Sequence, residues 1–134
     1  MILLVSGMMG LTLAPATHAA ITLTPEEEVL MEKEPALNQA DLEVFLEYLP
    51  RLMEAGEAAD EAPVLEIIKE TGWSKIKVAS YASKVSLGYT CLEDPDGYNE
   101  FKALGFMPEA YFPTAEEIDL VKQNKSKVEA IFKK

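Results

Sequence analysis

The chain has 134 residues, of which 49% are apolar and 26% charged, a balance typical of one globular domain and not of a disordered or fibrous chain. Its 12 Lys and Arg are outnumbered by 23 Asp and Glu, and the net charge of −11 argues against a general nucleic-acid binder, because phosphate contacts need cations. One histidine and one cysteine cannot supply a Cys/His zinc site, an iron–sulfur cluster or a disulfide framework, so we predict no metal site and no cofactor.

Residues 1–19 have the pattern of a secretory signal peptide: an uncharged apolar run at 2–13 is followed by small residues, although no cation precedes the run. Cleavage after Ala19 places Thr17 and Ala19 at the small-residue positions and leaves a mature chain that starts just before a capped helix. Cleavage after Ala16 is the other candidate. The run is too short to span a hydrocarbon core about 30 Å thick. We therefore predict a periplasmic or secreted bacterial protein without stable membrane insertion after cleavage; a buried N-terminal helix is the alternative.

Removal of the leader would take His18, the sole histidine, with it. Residues 20–134 would then form a single helical domain without an imidazole, so Ser-His-Asp and Cys-His nucleophile systems are excluded. The sequence also lacks the glycine-rich phosphate loops, the GxSxG elbow and the HExxH zinc motif, and we predict no catalytic residue. Cys91 is interpreted as a small buried apolar side chain, with an intermolecular disulfide as the alternative.

Two capped helices open the predicted domain. Thr24, with Glu27 three positions later, is a capping box, and Pro35 ends or kinks the helix that it starts. Asn38 caps a second helix, which Gly56 closes. The apolar side chains of the second helix repeat with the spacing of one helical face: Leu42, Phe45, Leu46, Leu49, Leu52 and Met53. This spacing predicts that the second helix buries one face in the core.

The middle of the sequence predicts a short helix and a long central one. Pro63 stands in the first turn of the third helix, Gly72 ends it, and Ser74 caps the fourth, predicted over 75–92. A stripe of small side chains runs beside the apolar face of the fourth helix: Ala79, Ser83, Ser86 and Thr90. Because small side chains let another helix approach closely, we predict that the fourth helix is the centre of the bundle.

The C-terminal part predicts a turn at 94–97, a short helix over 98–104 and no regular structure over 106–113, where prolines bound an aromatic stretch. Thr114 and Glu117 form a second capping box, which starts one last helix running to the C-terminus. The sequence thus predicts an all-α fold: a small irregular bundle of about five helices after the signal peptide.

The negative charge is concentrated in the first half of the domain. Residues 20–66 contain 13 acidic and 2 basic side chains, whereas 67–134 contain 10 of each. The acidic half is either a solvated face that favours solubility or a surface that binds a basic partner or gathers cations. In the second half, three lysines of the fourth helix and three of the last helix are a candidate basic patch for an acidic ligand, with plain solvated lysines as the alternative: Lys75, Lys77, Lys84, Lys122, Lys125 and Lys127.

Aromatic residues beside turns and irregular segments are the candidate ligand- or partner-binding site. Five of them are singled out: Trp73, Tyr98, Phe106, Tyr111 and Phe112. Such residues either cover the open end of a helical bundle or line a groove in which aromatic walls hold an apolar or peptide ligand.

These patterns predict a small exported, non-enzymatic binding or protein-interaction protein, whose partner is an unidentified protein or a small apolar or peptide ligand. Two other classes stay open. One is an acid- or stress-responsive periplasmic chaperone-like protein that exposes apolar surface when its carboxylates are protonated. The other is a hydrolase that uses paired carboxylates, or a Ser-Lys pair such as Ser80 with Lys84.

Overall fold

A computed structural model describes Val5–Ser6, residues 21–57 and residues 60–133 of the chain. Within these ranges the protein is all-α apart from one short strand pairing, which confirms the predicted fold class. Seven helices occupy them, more than the five or so expected: α1 (Pro25–Glu32), α2 (Gln39–Ala55), α3 (Ala62–Thr71), α4 (Lys75–Glu93), α5 (Pro95–Ala103), α6 (Ala115–Gln123) and α7 (Lys125–Phe132). A turn of 3₁₀ helix at Glu109–Tyr111 lies within the segment that was predicted to be irregular.

A two-residue parallel pairing joins β1 (Val5–Ser6) to β2 (Ile21–Thr22). Ile21 is 1% exposed and Leu23 is fully buried, so this entry segment is anchored in the core ahead of α1. Apart from Val5–Ser6, the predicted signal peptide lies outside the described residues, and its cleavage stays a prediction.

The helices begin at the caps that the sequence predicts. The side chains of Thr24 and Thr114 each accept the backbone N–H three residues further on, and the glutamate at that position accepts the N–H of the cap in return. Asn38 and Ser74 cap α2 and α4 through the same kind of bond. Gly72 closes α3 with a φ of 74°, a left-handed conformation that costs glycine little. These local bonds fix where the elements that surround the site start and stop.

The prediction of a separate turn at 94–97 is wrong, because this segment is the cap and the first helical turn of α5. The Asp94 side chain accepts the N–H of Gly97 at 3.1 Å and so caps the helix. Pro95 occupies the first helical position, where its missing N–H breaks no bond. The same residue types suit a turn and a helix start, and here the helix forms.

The single C-terminal helix that was predicted is divided at Asn124 into α6 and α7. The Asn124 amide exchanges two hydrogen bonds with the Gln39 amide of α2, at 3.0 and 2.9 Å, and also donates to the Leu120 carbonyl at 2.9 Å. Asn124 is 7% exposed, and this amide pairing holds it against α2 at the point where α6 ends and α7 begins.

Helix α4 is the centre of the bundle, as predicted. It contacts the other six helices, and every residue from 78 to 86 is buried. Its approach to α6 is close: a Cβ added at Gly88 would lie 3.2 Å from Val121 Cγ2. Because every residue of the 78–86 stretch is buried, its polar side chains lie in the interior as well, and Lys84 is one of them. Over the described ranges, no helix is long and apolar enough to cross a bilayer.

Candidate functional site

An open cleft of about 500 Å³ lies beside α4. Its walls come from the end of α1 and the connector to α2, from α4 and α5, and from the segment between α5 and α6. Charges of both signs line it: Glu32, Glu34, Lys84, Lys102, Glu109 and Glu117. Apolar lining is supplied among others by Met31, Phe112 and Pro113. A concave site that combines apolar walls with a few placed polar groups is the usual form of a ligand pocket.

A buried ion pair forms the base of the cleft. Lys84 Nζ donates to Glu117 Oε2 at 3.0 Å. The two residues are 8% and 2% exposed, so the pair is almost removed from solvent. Removing either partner would leave an unpaired charge in the interior, which is strongly destabilising.

The Glu117 carboxylate accepts hydrogen bonds from three donors on three segments. Oε2 accepts the backbone N–H of Leu37 at 2.9 Å as well as Lys84, and Oε1 accepts the N–H of Thr114 at 2.9 Å. Burial raises the pKa of Glu117, but the N–H groups of Thr114 and Leu37 together with the Lys84 ammonium outweigh it and hold the pKa below its ordinary value. Glu117 is therefore an anion near neutral pH, with both oxygens occupied.

Lys84 has hydrogen-bonding capacity left. An ammonium carries three N–H donors, and Glu117 takes one of them. In the part of the chain that the structure describes, Lys84 Nζ has no second partner. Because the side chain lines the cleft, the two remaining donors are available there to a ligand or to water.

Three carboxylates, those of Glu32, Glu34 and Glu109, also line the cleft. None of the three forms an ion pair with another described residue. The exposed Lys102 is the other lysine of the lining, and its Nζ lies 5.6 Å from the centroid of the Phe112 ring. We call Glu32, Glu34 and Glu109 the acidic rim.

Three of the five predicted site residues are brought together at one edge of this cleft. The rings of Tyr98 and Phe112 lie 6.0 Å apart, Phe101 lies 6.1 Å from Phe112, and Phe106 lies 6.4 Å from Phe101. Phe112 lines the cleft itself, whereas Phe106 is 45% exposed and continues the apolar surface outward together with Leu104. These four aromatic residues form what we call the aromatic cluster.

The other two predicted site residues lie elsewhere. Tyr111 is fully buried in the core, and its hydroxyl donates to Glu28 Oε1 at 3.1 Å. Trp73 packs on Tyr81 with ring centroids 5.1 Å apart, and Lys77 Nζ lies 4.2 Å above its ring. Adjacent sequence positions thus face different surroundings, and the five residues do not share one surface.

The α4 half of the candidate basic patch is not a free cationic surface, because each of its three lysines is paired with an acid. Lys75 pairs with Glu27 at 3.2 Å, and Lys77 pairs with Asp41 at 3.0 Å. Lys84 is the buried partner of Glu117. These pairs join α4 to α1, α2 and α6. Acidic side chains of the first half of the domain thus neutralise some of the lysines of the second half. In the other half of the candidate patch, Lys127 of α7 pairs with Glu43 at 3.7 Å.

The role of Lys84 and Glu117 was missed by sequence reasoning. Glu117 was recognised only as a capping residue, and Lys84 as a member of a surface patch or a Ser-Lys pair. The signal was the position of Lys84 within a run of small and apolar residues, where a solvated lysine is out of place. Ser80 is 1% exposed, has no hydrogen-bond partner for its hydroxyl within the described ranges and is not part of the cleft lining, so this serine is not presented to a substrate there.

Cys91 lies near Tyr98 of the aromatic cluster and influences its ionisation. Burial, with a smaller contribution from Cys91, raises the pKa of Tyr98 to about 12. Burial also raises the pKa of the partly exposed Cys91 thiol, which lowers its thiolate fraction and its reactivity. Cys91 is therefore partly exposed and not fully buried as expected, but its low reactivity agrees with a structural cysteine.

Among the described residues, no three His, Cys, Asp or Glu side chains converge in a way that could hold a metal ion. No protein-family model, no curated protein and no solved structure matches the chain. The class is therefore defined by the fold and the site alone: a small all-α protein with an open cleft over a buried lysine.

Proposed function

We propose that this chain is an exported, non-enzymatic binding protein that holds a small organic or peptide ligand in the cleft over Lys84. The observation that carries the proposal is Lys84 itself, a buried ammonium with two donors to spare at the base of an open cleft. A ligand could place an acceptor oxygen within hydrogen-bond distance of the Lys84 ammonium and an apolar group against the Phe112 ring, and so match the polar base and the apolar wall of the cleft. The volume of about 500 Å³ suits a ligand of this size, since pockets commonly span roughly 300–1,000 Å³.

The state of Glu117 supports binding over hydrolysis by carboxylates. A general acid must release a proton near the working pH, whereas the lowered pKa keeps Glu117 ionised. A general base must direct a free lone pair at its substrate, whereas the protein fills three of the roughly four acceptor sites of the Glu117 carboxylate. The same lowered pKa argues against a chaperone that opens in mild acid, because the carboxylate that joins three segments stays charged there.

Export is supported by the leader pattern of residues 1–19. Expression of the full chain in a bacterial host and mass measurement of the protein recovered from the periplasm tests this part. We expect a chain that starts at Ala20, or at Thr17 if the alternative site is used. Uncleaved protein retained in the cytoplasm would contradict export without bearing on the cleft.

Binding is tested by chemical-shift mapping with acetylated, amidated tripeptides of the form Ala-Phe-X, where X is Ala, Arg or Glu. We expect saturable shifts at the amides of Lys84, Phe112 and Thr114, and their loss in Lys84→Met. Because Lys84→Met leaves the Glu117 carboxylate buried without its counter-charge, Lys84→Met/Glu117→Gln serves as a second variant. The matched control is Lys127→Met, which changes an exposed lysine on α7. If no tripeptide shifts these amides at millimolar concentration, the cleft is not a peptide-binding site.

A further inference from the structure

We infer that the ligand of this cleft is a peptide segment with a basic side chain next to an apolar one, bound through a backbone carbonyl on Lys84 and with its cation at the acidic rim. The inference rests on the proposed function and adds to it the chemical class of the ligand. It follows from three features of the cleft: the charge of its rim, the position of Lys102 and the free donors of Lys84.

The charge of the cleft favours a cation. Glu117 lies 3.0 Å from Lys84 and neutralises it, so Lys102 alone remains to balance the three carboxylates of the acidic rim. Two of these, Glu32 and Glu34, belong to residues 20–66, the half of the domain with 13 acidic and 2 basic side chains. The field of that half adds to the local one and raises the concentration of cations at the cleft.

The aromatic wall already holds a cation, supplied by the protein. Lys102 Nζ lies 5.6 Å from the Phe112 centroid, within the range of a cation–π contact. Lys102 is exposed and forms no ion pair with another described residue, so little holds it in place. An apolar side chain of the ligand would displace Lys102 from the Phe112 ring, and the ligand's own cation would then balance the acidic rim in its place.

Lys84 favours a basic peptide over other cationic ligands. Its two free donors need acceptor oxygens, which a polyamine does not carry and a backbone carbonyl does. An acidic ligand would meet Lys84 favourably but would be repelled by the acidic rim. A peptide with neighbouring apolar and basic side chains satisfies Lys84, Phe112 and the rim at once.

The test is calorimetric titration of the full chain with three acetylated, amidated tripeptides: Ala-Phe-Arg, Ala-Phe-citrulline and Ala-Phe-Glu. Citrulline keeps the shape of arginine without its charge. We expect the arginine peptide to bind roughly tenfold more tightly than the citrulline peptide, since each exposed ion pair contributes a few-fold, and we expect added salt to reduce the ratio. The variant Glu32→Gln/Glu34→Gln/Glu109→Gln should bring the ratio close to one.

A matched variant separates the rim from the total charge. Glu47→Gln/Glu54→Gln/Glu66→Gln removes the same charge from exposed positions outside the cleft and should keep most of the preference for arginine. Equal binding of the arginine and citrulline peptides, or tighter binding of the glutamate peptide, would overturn the inference and leave the proposed function standing, provided that Lys84→Met weakens binding. Absence of binding by all three peptides would overturn the inference together with the peptide-binding part of the proposed function.

Discussion

Replacing Glu117 by glutamine tests whether one carboxylate holds three segments of the bundle together. Both Glu117 oxygens act as acceptors: Oε2 for Lys84 and the N–H of Leu37, and Oε1 for the N–H of Thr114. Glutamine keeps the shape but has one oxygen. Whichever way the amide is turned, its NH₂ group points at donors, either at Thr114 or at Leu37 and Lys84.

The expected loss of stability is large for a change of one atom. Breaking a buried ion pair by removing one partner costs about 3–5 kcal/mol, and the low end applies because Lys84 lines an open cleft and water can reach it. A backbone donor left without its acceptor adds about 1 kcal/mol. We expect Glu117→Gln to lower the free energy of unfolding by roughly 3–4 kcal/mol, against a total of about 5–15 kcal/mol for a domain of this size.

The double variant Lys84→Met/Glu117→Gln separates the pair from the packing around it. It removes the stranded ammonium together with its partner, so we expect it to be more stable than the sum of the single changes by roughly 1–3 kcal/mol. Additive single effects would mean that Lys84 and Glu117 are stabilised independently of each other.

Urea unfolding followed by tryptophan fluorescence measures these differences. Trp73 is the sole tryptophan and packs against Tyr81, so its emission reports on the core around α4. Glu70→Gln is the control: the Arg51–Glu70 pair is shorter, at 2.7 Å, but its side chains are 52% and 53% exposed, and its removal should leave the urea midpoint unchanged. If Glu117→Gln unfolds at the same urea concentration as Glu70→Gln, burial does not decide the strength of these pairs.

Two further measurements use the same urea assay. Because the pKa of Glu117 is lowered in the folded protein, its contribution to stability is complete above the ordinary carboxyl value of 4.5 and is lost as the pH falls through the lower folded value; the urea midpoint should change little between about pH 7 and 5 and fall below about 4.5. The lowered pKa values of Glu27 and Asp41 act in the same direction, and collapse near pH 6 would contradict this account. Gly88→Val would push methyl groups into Val121, since a Cβ alone already lies 3.2 Å from it, and should cost about 1–3 kcal/mol; an unchanged midpoint would show that α6 can move away from α4.

The part of the fold that could be predicted from the sequence is the part held by short-range bonds. The caps at Thr24, Asn38, Ser74 and Thr114 each bond to an N–H three residues away, so the pattern contains both partners. The central position of α4 was also predictable, because its stripe of small residues requires a closely packed neighbour. Where the prediction was wrong, at 94–97, the residue types allow two local structures and only one of them forms.

The candidate site could be predicted only in part. Phe112, Tyr98 and Phe106 were selected for their place beside irregular segments, and the structure places them around the edge of the cleft. Tyr111 follows the same sequence rule and yet points into the core. Position next to a turn does not tell which way a side chain faces once the chain packs.

The sequence alone determines the helical fold class, the helix starts and the uneven distribution of charge. These features depend on composition and on partners within one helical turn. The tertiary structure alone decides that Asn124 meets Gln39 and divides the last helix, and that Glu117 meets Lys84 beneath a cleft. These partners lie 85 and 33 positions apart, and no local preference encodes their contact. It arises because α4 packs against all six other helices, so a charge on one of its buried positions is stabilised only by a counter-charge on the helix that packs there.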